Sequence, residues 1–329
     1  MSTLYVTENN VVIRLSSRTL VLTKNKDKIA QVPMISLENI LIFGNAQITT
    51  QAMAALLEDG IDVSYLSRNG KLRGRLSSAY SKNVLLRIAQ YERYLDDQFQ
   101  IDLARIIVKA KIRNGKKILQ RFLLNHPDMD FTKEMNTIET TLKKLDSQKT
   151  VNSLMGSEGI ATALYFKAFG KMVQGEMRFE SRSRRPPKDP VNALLSFGYT
   201  LLTNEILALV LAHGLDPHIG FLHGVVYGRP SLALDIVEEF RHPVIDRFVL
   251  KLVNRKILKK THFEERDNGV FLNDDGRKIF FTHYDKLLKR QISPNQQPLN
   301  LHDILKRQVR AMAAKIKSNK PYKPFSIRL

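Results

Sequence analysis

The chain of 329 residues is long enough for two domains of about 100 to 200 residues, each with room for a buried core. Its 52 Lys and Arg against 32 Asp and Glu give a formal charge of +20 and a pI near 10.0, which points to a polyanionic partner, nucleic acid first. Cys is absent, which excludes disulfides, thiolate zinc sites and cysteine nucleophiles and suits a reducing cytoplasm.

Met1 to Asn10 is polar and does not read as a signal peptide. From Thr3 to about Tyr80 short apolar runs of strand-forming residues follow one another: Leu4–Val6, Val11–Leu15, Leu20–Thr23, Ile40–Phe43, Val63–Leu66 and Lys71–Leu76. One helix, Thr49 to Glu58, interrupts them. Thr49 or Thr50 caps it, Met53, Ala54, Leu56 and Leu57 supply apolar contacts, and Gly60 stops it. Arg68-Asn69-Gly70 then fits a hairpin turn. Strand edges and an apolar face that a module of about 80 residues struggles to cover predict a homodimer through this part.

After Ser81 the pattern changes to helical spacing, first over Asn83 to Asn125 and then around Phe131–Leu145, Asn152–Met172, Val191–Ala212, Leu232–Arg241 and Val244–Lys259. Two turn signals, Asp267-Asn268-Gly269 and Asn273-Asp274-Asp275-Gly276, predict a small β-hairpin among the helices. The expected fold class is α+β: an N-terminal β-rich domain (1–80) followed by a mainly α-helical domain (81–329) with a small hairpin. The most apolar run, Ile206 to Ala212, falls far short of the ~20 residues of a spanning helix, so no membrane segment is expected.

Candidate chemistry lies in three places. Leu154, Ala161, Tyr165, Ala168 and Met172 mark a buried helical stripe, and Glu158 falls on it. A carboxylate carried inward needs a cation, a metal or hydrogen-bond donors, so Glu158 reads either as a ligand or as one half of a pair with an Arg. His223 sits in a glycine-punctuated loop, Gly214 to Arg229, and offers a ring nitrogen, although His213 and His218 lie close by and a lone His is commonly a packing residue. In the next helix Asp235 and Glu238 share a face; their carboxylates repel at this spacing, and a divalent cation or, more simply, Arg241 holds both ionised. The plain alternative is an exposed acidic face.

Glu158, His223, Asp235 and Glu238 together make a hard, oxygen-rich set with one imidazole, suited to Mg²⁺ or Mn²⁺. In a +20 chain such a set points to phosphodiester chemistry. There is no GxxxxGK[ST] phosphate loop. Arg178, Arg182, Arg184 and Arg185, with Lys188, are expected at DNA phosphates, against the alternative of solvated charge. From Ile304 to Leu329 there are eight basic residues and no acidic one, with Tyr322 and Phe325 interleaved, which reads equally as a DNA contact or a disordered tail.

The ordered set Met155-Gly156-Ser157-Glu158-Gly159, Asp189 to Tyr199, Gly214-Leu215-Asp216-Pro217, Gly220-Phe221-Leu222-His223 and Arg229 to Arg241, with Asn83 to Arg87, Gln90, Lys111 and Asn114, resembles the CRISPR-associated adaptation integrases, the CRISPR-associated protein one family. The likeness covers nearly the whole chain. It implies an N-terminal β domain that forms the homodimer and a C-terminal helical domain with a metal-dependent nuclease and integrase site. Glu158, His223 and Glu238 match the metal ligands, Asp235 a further acidic position, and Arg241 a basic position near DNA. Glu238 stands where many relatives carry Asp. The implied activity is the joining of 3′-hydroxyl ends of short foreign DNA fragments to a CRISPR repeat by metal-assisted transesterification, together with a small second adaptation subunit. The alternatives are a non-catalytic DNA-binding architectural subunit and a metal-dependent ribonuclease.

Overall fold

The structure is a computed structural model and describes residues 2–67, 70, 72–77, 83–292 and 299–327. It divides into two compact units, Met1–Tyr80 with Arg277–Lys286, and Ser81–Gly276 with Leu287–Leu329.

The first unit contains β1 (Ser2–Val6), β2 (Val11–Ser16), β3 (Thr19–Lys24), β4 (Asp27–Pro33), β5 (Leu37–Phe43), β6 (Ala46–Ile48), α1 (Thr50–Glu58), β7 (Asp62–Leu66) and β8 (Leu72–Leu76). One sheet has the order β1-β5-β7-β8, with only β8 antiparallel to its neighbour; the other has the order β4-β3-β2-β6, with β6 parallel to β2. Strand β2 turns Val11 and Ile13 into the core and Arg14 to solvent, the alternation of a strand covered on one face. Strand β5, paired in parallel on both sides, buries Ile40 through Phe43 without alternation because both its faces are covered. Thr49 starts α1 by accepting the Ala52 N–H, and Gly60, at φ +67, follows its end. The helix buries Ala52, Ala55 and Leu56, whereas Ala54, expected inside, is exposed.

Strands β4 and β6 lie outside the sequence expectation. β4 is an edge strand whose side chains are largely exposed, so it carries no apolar pattern, and β6 is only three residues long. Arg68 and Asn69 of the expected turn, and Lys71 of the expected last strand, lie outside the described residues. The expected second domain of 81–329 needs one correction: Arg277–Lys286 packs with the first unit, where the Phe281 ring meets Tyr5 at 5.0 Å and Phe43 at 4.7 Å.

The second unit is built from α2 (Val84–Tyr94), α3 (Asp97–Leu123), α4 (Thr132–Lys144), α5 (Val151–Met172), α6 (Pro190–Ala212), α7 (Ser231–Val237), a π-helical turn (Arg241–Asp246), α8 (Arg247–Asn254), the hairpin β9 (Phe263–Arg266) and β10 (Gly269–Leu272), and α10 (Leu301–Ser318); α9 (Asp274–Lys289) has residues in both units. The long helical stretch expected from Asn83 to Asn125 is two helices, because Asp96 caps α3 by accepting the Phe99 N–H at 3.0 Å. The hairpin turns through Asp267 and Asn268, both with positive φ. The second turn signal is a helix start instead: Asn273 accepts the Gly276 N–H at 2.9 Å and caps α9.

Helix α6 also departs from expectation. Within its 23 residues an 18-residue window reaches a mean hydropathy of 1.6, long and apolar enough to cross a membrane by length and composition. Here it is the central helix of the unit, with 61 % of that window buried, Asn192, Asn204 and Glu205 among its buried side chains. The basic C-terminal stretch is helix α10 followed by an extended segment whose Tyr322 is buried.

Candidate active site

Four parts of the second unit carry the site: α3, α5, the loop that follows α6, and α7 with the π-helical turn after it. On α5 the expected stripe is buried throughout, from Leu154 and Ala161 to Tyr165, Ala168 and Met172, and Glu158 emerges at its edge with 21 % of its side chain exposed. Its partner is a lysine rather than the expected arginine. Lys111 Nζ of α3 meets Glu158 Oε1, and the Thr162 hydroxyl one turn along α5 donates to the same oxygen at 2.6 Å.

Lys111 also lies 2.6 Å from Glu238 Oε2, so one buried ammonium stands between two carboxylates from different helical segments. Arg241 Nε is 2.8 Å from Glu238 Oε1. Both oxygens of Glu238 are thus ion-paired away from solvent, Oε2 with Lys111 and Oε1 with Arg241. Burial pushes the Glu238 carboxyl up, but Arg241, Lys111 and His223 outweigh it and hold Glu238 far below the usual carboxylate range. Glu158 follows the same balance more weakly: burial raises it, the Lys111 charge reverses this, and the net shift is downward. Both acids are therefore ionised at neutral pH.

Asp235 departs from expectation. Its carboxylate is turned into the preceding loop rather than paired with that of Glu238 around one cation. Oδ2 accepts the N–H groups of Phe221 and Leu222 at 2.6 and 3.0 Å, and Oδ1 accepts the His223 N–H at 2.9 Å and His223 Nδ1–H at 2.7 Å. Asp235 thus spends both oxygens on shaping the loop and fixing the imidazole tautomer, leaving His223 Nε2 toward Glu238 Oε1 at 3.9 Å. The loop can come this close because of Gly220, where a Cβ would fall 2.7 Å from Ser231 atoms and 2.9 Å from Asp235 Oδ2.

The remaining basic candidates separate. Arg182 is largely turned inward: its guanidinium donates to Asn192 Oδ1 at 2.7 Å and Ser196 Oγ at 2.9 Å and lies over the Tyr199 ring, whose centroid Arg241 also approaches at 4.7 Å. Arg178, Arg184 and Arg185 are exposed.

The donor chemistry fits a hard divalent cation: two ionised carboxylates, Glu158 and Glu238, held on one ammonium, and one imidazole with a fixed tautomer. As they stand, no three His, Asp or Glu side chains among the described residues are close enough together to hold a metal ion, because Lys111 keeps Glu158 and Glu238 apart.

Residues 4–286 match the family model described as CRISPR associated protein Cas1. The chain belongs to the Cas1 family. It is 34 % identical to "CRISPR-associated endonuclease Cas1 3" of Thermus thermophilus, over 98 % of this chain and 97 % of that protein. Among solved structures, a Cas1 protein from Thermotoga maritima superposes with a TM-score of 0.84 at 26 % identity, covering 99 % of this chain and all of the other. A casposase bound to integration product superposes with a TM-score of 0.87 at 26 % identity, covering 99 % of this chain and 93 % of that one.

In this Cas1 chain several site residues carry a faint signal in the sequence or none. Lys111 and Asn114 fall on the α3 stripe with Leu103, Ile107 and Ile118, and a lysine on an apolar stripe is the signal that marks them. Glu239 gives no such signal. Its carboxylate is buried, accepts from the Tyr322 hydroxyl and from Phe325 N–H at 2.7 Å, and is pushed up to about 8 by burial that these two donors only partly offset. Asn114 Nδ2 donates to both the Glu239 and Phe325 carbonyls, and Phe325 stacks on Phe240 at 4.8 Å. The C-terminal segment is thereby strapped directly behind Glu238.

Proposed function

We propose that this chain is a metal-dependent DNA endonuclease and integrase of CRISPR adaptation, joining 3′-hydroxyl ends of short foreign DNA fragments to the CRISPR repeat by transesterification. The observation that carries this reading is the pairing of Glu158 and Glu238 with the same buried ammonium, Lys111, with His223 Nε2 held by Asp235 at 3.9 Å from Glu238, in a chain of charge +20. The relatives support it by name: one is called an endonuclease, and the casposase was solved with an integration product.

Glu158, Glu238 and His223 Nε2 would hold Mg²⁺ or Mn²⁺. When bound, such an ion supplies Lewis-acid polarisation of a phosphoryl oxygen and lowers the pKa of a nearby hydroxyl. The chain's own residues do the rest. Asp235 keeps the His223 ring oriented, with its proton on Nδ1. Lys111 and Arg241 place two positive charges where a phosphate diester would bring negative charge. In the joining step the fragment's 3′-oxygen forms a bond to a repeat phosphorus as the bond from that phosphorus to the repeat's own 3′-oxygen breaks. The attacking hydroxyl gives up its proton and the departing oxygen gains one. Water in place of the hydroxyl gives strand cleavage. Arg178, Arg184 and Arg185 serve the flanking phosphates. The partners in this reading are a second copy of the chain, joined through the first unit, and the small second adaptation subunit.

The test is Mn²⁺-dependent cutting and joining of branched DNA by the pure protein, with Glu158→Ala, His223→Ala and Glu238→Ala each abolishing both while DNA binding persists. Near wild-type turnover by any of the three at saturating Mn²⁺ removes that residue from the ligand set. A second reading, a non-catalytic DNA-binding architectural subunit, is favoured by one observation: Lys111 and Arg241 already neutralise both carboxylates. Protein that binds DNA yet neither cuts nor joins it with either cation supports that reading.

A further inference from the structure

His223 is followed directly by a loop that places three consecutive apolar side chains in solvent: Val225 and Val226 are each 50 % exposed and Tyr227 is fully exposed. Scattered exposed apolar residues are ordinary, but an uninterrupted exposed run is costly and is retained where it contacts something. The loop is not slack. Ser231 Oγ donates to the Gly224 carbonyl at 3.0 Å, the Arg229 guanidinium donates to the same carbonyl, and Arg229 N–H closes a turn onto Val226 O at 3.0 Å. Gly228, at φ +71, allows the chain to turn back, and at the other foot Asp235 holds the His223 backbone. The tyrosine ring is displayed on a braced support, so little loop entropy is left to lose on binding.

Tyr227 lies four positions after His223, so their Cα atoms are at most about 14 Å apart, within roughly four nucleotides of a strand whose phosphate reaches His223. We propose that Tyr227, flanked by Val225 and Val226, stacks on an unpaired nucleobase of the bound DNA beside the reacting phosphate. The proposal rests on the DNA reading of the site given above. Charge selects the occupant class, since a chain of +20 attracts a polyanion. The ring selects the part of it: the hydroxyl alone could meet a phosphate, but the aromatic face and the two valines offer a phosphate nothing, whereas a base face stacks on the ring whatever its sequence. Base faces inside a duplex are already stacked, so the base must come from a strand end or a branch.

The test uses the full chain in EDTA with branched DNA carrying 2-aminopurine at the unpaired position, read by fluorescence quenching and by anisotropy, for wild type, Tyr227→Ala and Tyr227→Phe. The alanine variant is expected to lose roughly 5- to 150-fold in affinity together with the quenching, while the phenylalanine variant keeps both. The slope of log affinity against log salt should not change, because no phosphate contact is removed. Wild-type quenching and affinity in Tyr227→Ala would overturn the proposal, as would loss of self-association with DNA binding intact, which would make the loop a protein contact. Wild-type protein that binds no DNA would instead overturn the reading of the site, and this proposal with it.

Discussion

Replacing Lys111 by methionine keeps the length of the side chain and removes the charge that two carboxylates share. Lys111 is 8 % exposed at its side chain, Glu238 4 % and Glu158 21 %. Removing one partner of a buried ion pair costs about 3–5 kcal/mol. Arg241 still serves Glu238 and water reaches Glu158, so the lower end, about 3 kcal/mol, applies. For a unit of this size that corresponds to a drop of about 6–12 °C in Tm, read by differential scanning calorimetry in EDTA at neutral pH. Mn²⁺ should then stabilise the variant more than wild type, since in the variant it meets two carboxylates with no ammonium between them; saturation to about 100 times Kd contributes about 2.7 kcal/mol. Glu158 and Glu238 have folded pKa values below the ordinary one, so their stabilisation is present above about pH 4.5 and is lost as pH falls toward the folded values. That acid-side loss should shrink in Lys111→Met. A variant that melts with wild type in EDTA would refute the claim that Lys111 balances these acids.

Glu239 behaves in the opposite sense: its folded pKa near 8 lies above the ordinary value, so native protein holds a proton that unfolded chain releases, and stability falls as pH rises from about 4.5 to 8. The Tm of Glu239→Gln relative to wild type should accordingly rise from pH 5 to pH 8, and a constant difference would contradict the burial argument. Asp235→Asn frees the His223 tautomer and weakens the loop, with an expected loss of about 10- to 100-fold in Mn²⁺ affinity measured by titration; unchanged affinity would leave Asp235 a purely local fold residue. Neutralising Arg178, Arg184 and Arg185 together should flatten the salt slope of duplex DNA binding by up to about 2.7 without altering Tm, whereas Arg182→Ala should lower Tm and leave the slope alone. An equal effect of Arg182 and the other three on the slope would show that the inward bonds of Arg182 open on binding.

Much of the architecture was legible in the sequence because its signals are local. Period two in β2, the stripe of α5, the cap at Thr49 and the positive-φ pair Asp267-Asn268 each depend on residues a few positions apart. Local signals also mislead where one chemistry serves two structures: Asn273-Asp274-Asp275-Gly276 reads as a turn, yet the amide side chain that favours a turn also caps a helix, and α9 begins there. The donor types of the candidate site were likewise visible, since Glu158, His223, Asp235 and Glu238 stand out by their positions on a stripe, in a loop and on a short helix.

Roles within that set were decided by contacts between residues far apart in the chain. Asp235 became the brace of His223 rather than a neighbour of Glu238 because three loop N–H groups and an imidazole N–H reach its carboxylate once Gly220 lets the loop approach. Lys111 meets Glu158, 47 positions away, and also Glu238; Glu239 meets Tyr322, 83 positions away. Periodicity says which face of a helix turns inward. Which charged group waits on the other side of that face is settled only when the helices pack, because a buried carboxylate takes whatever donor the fold brings within reach.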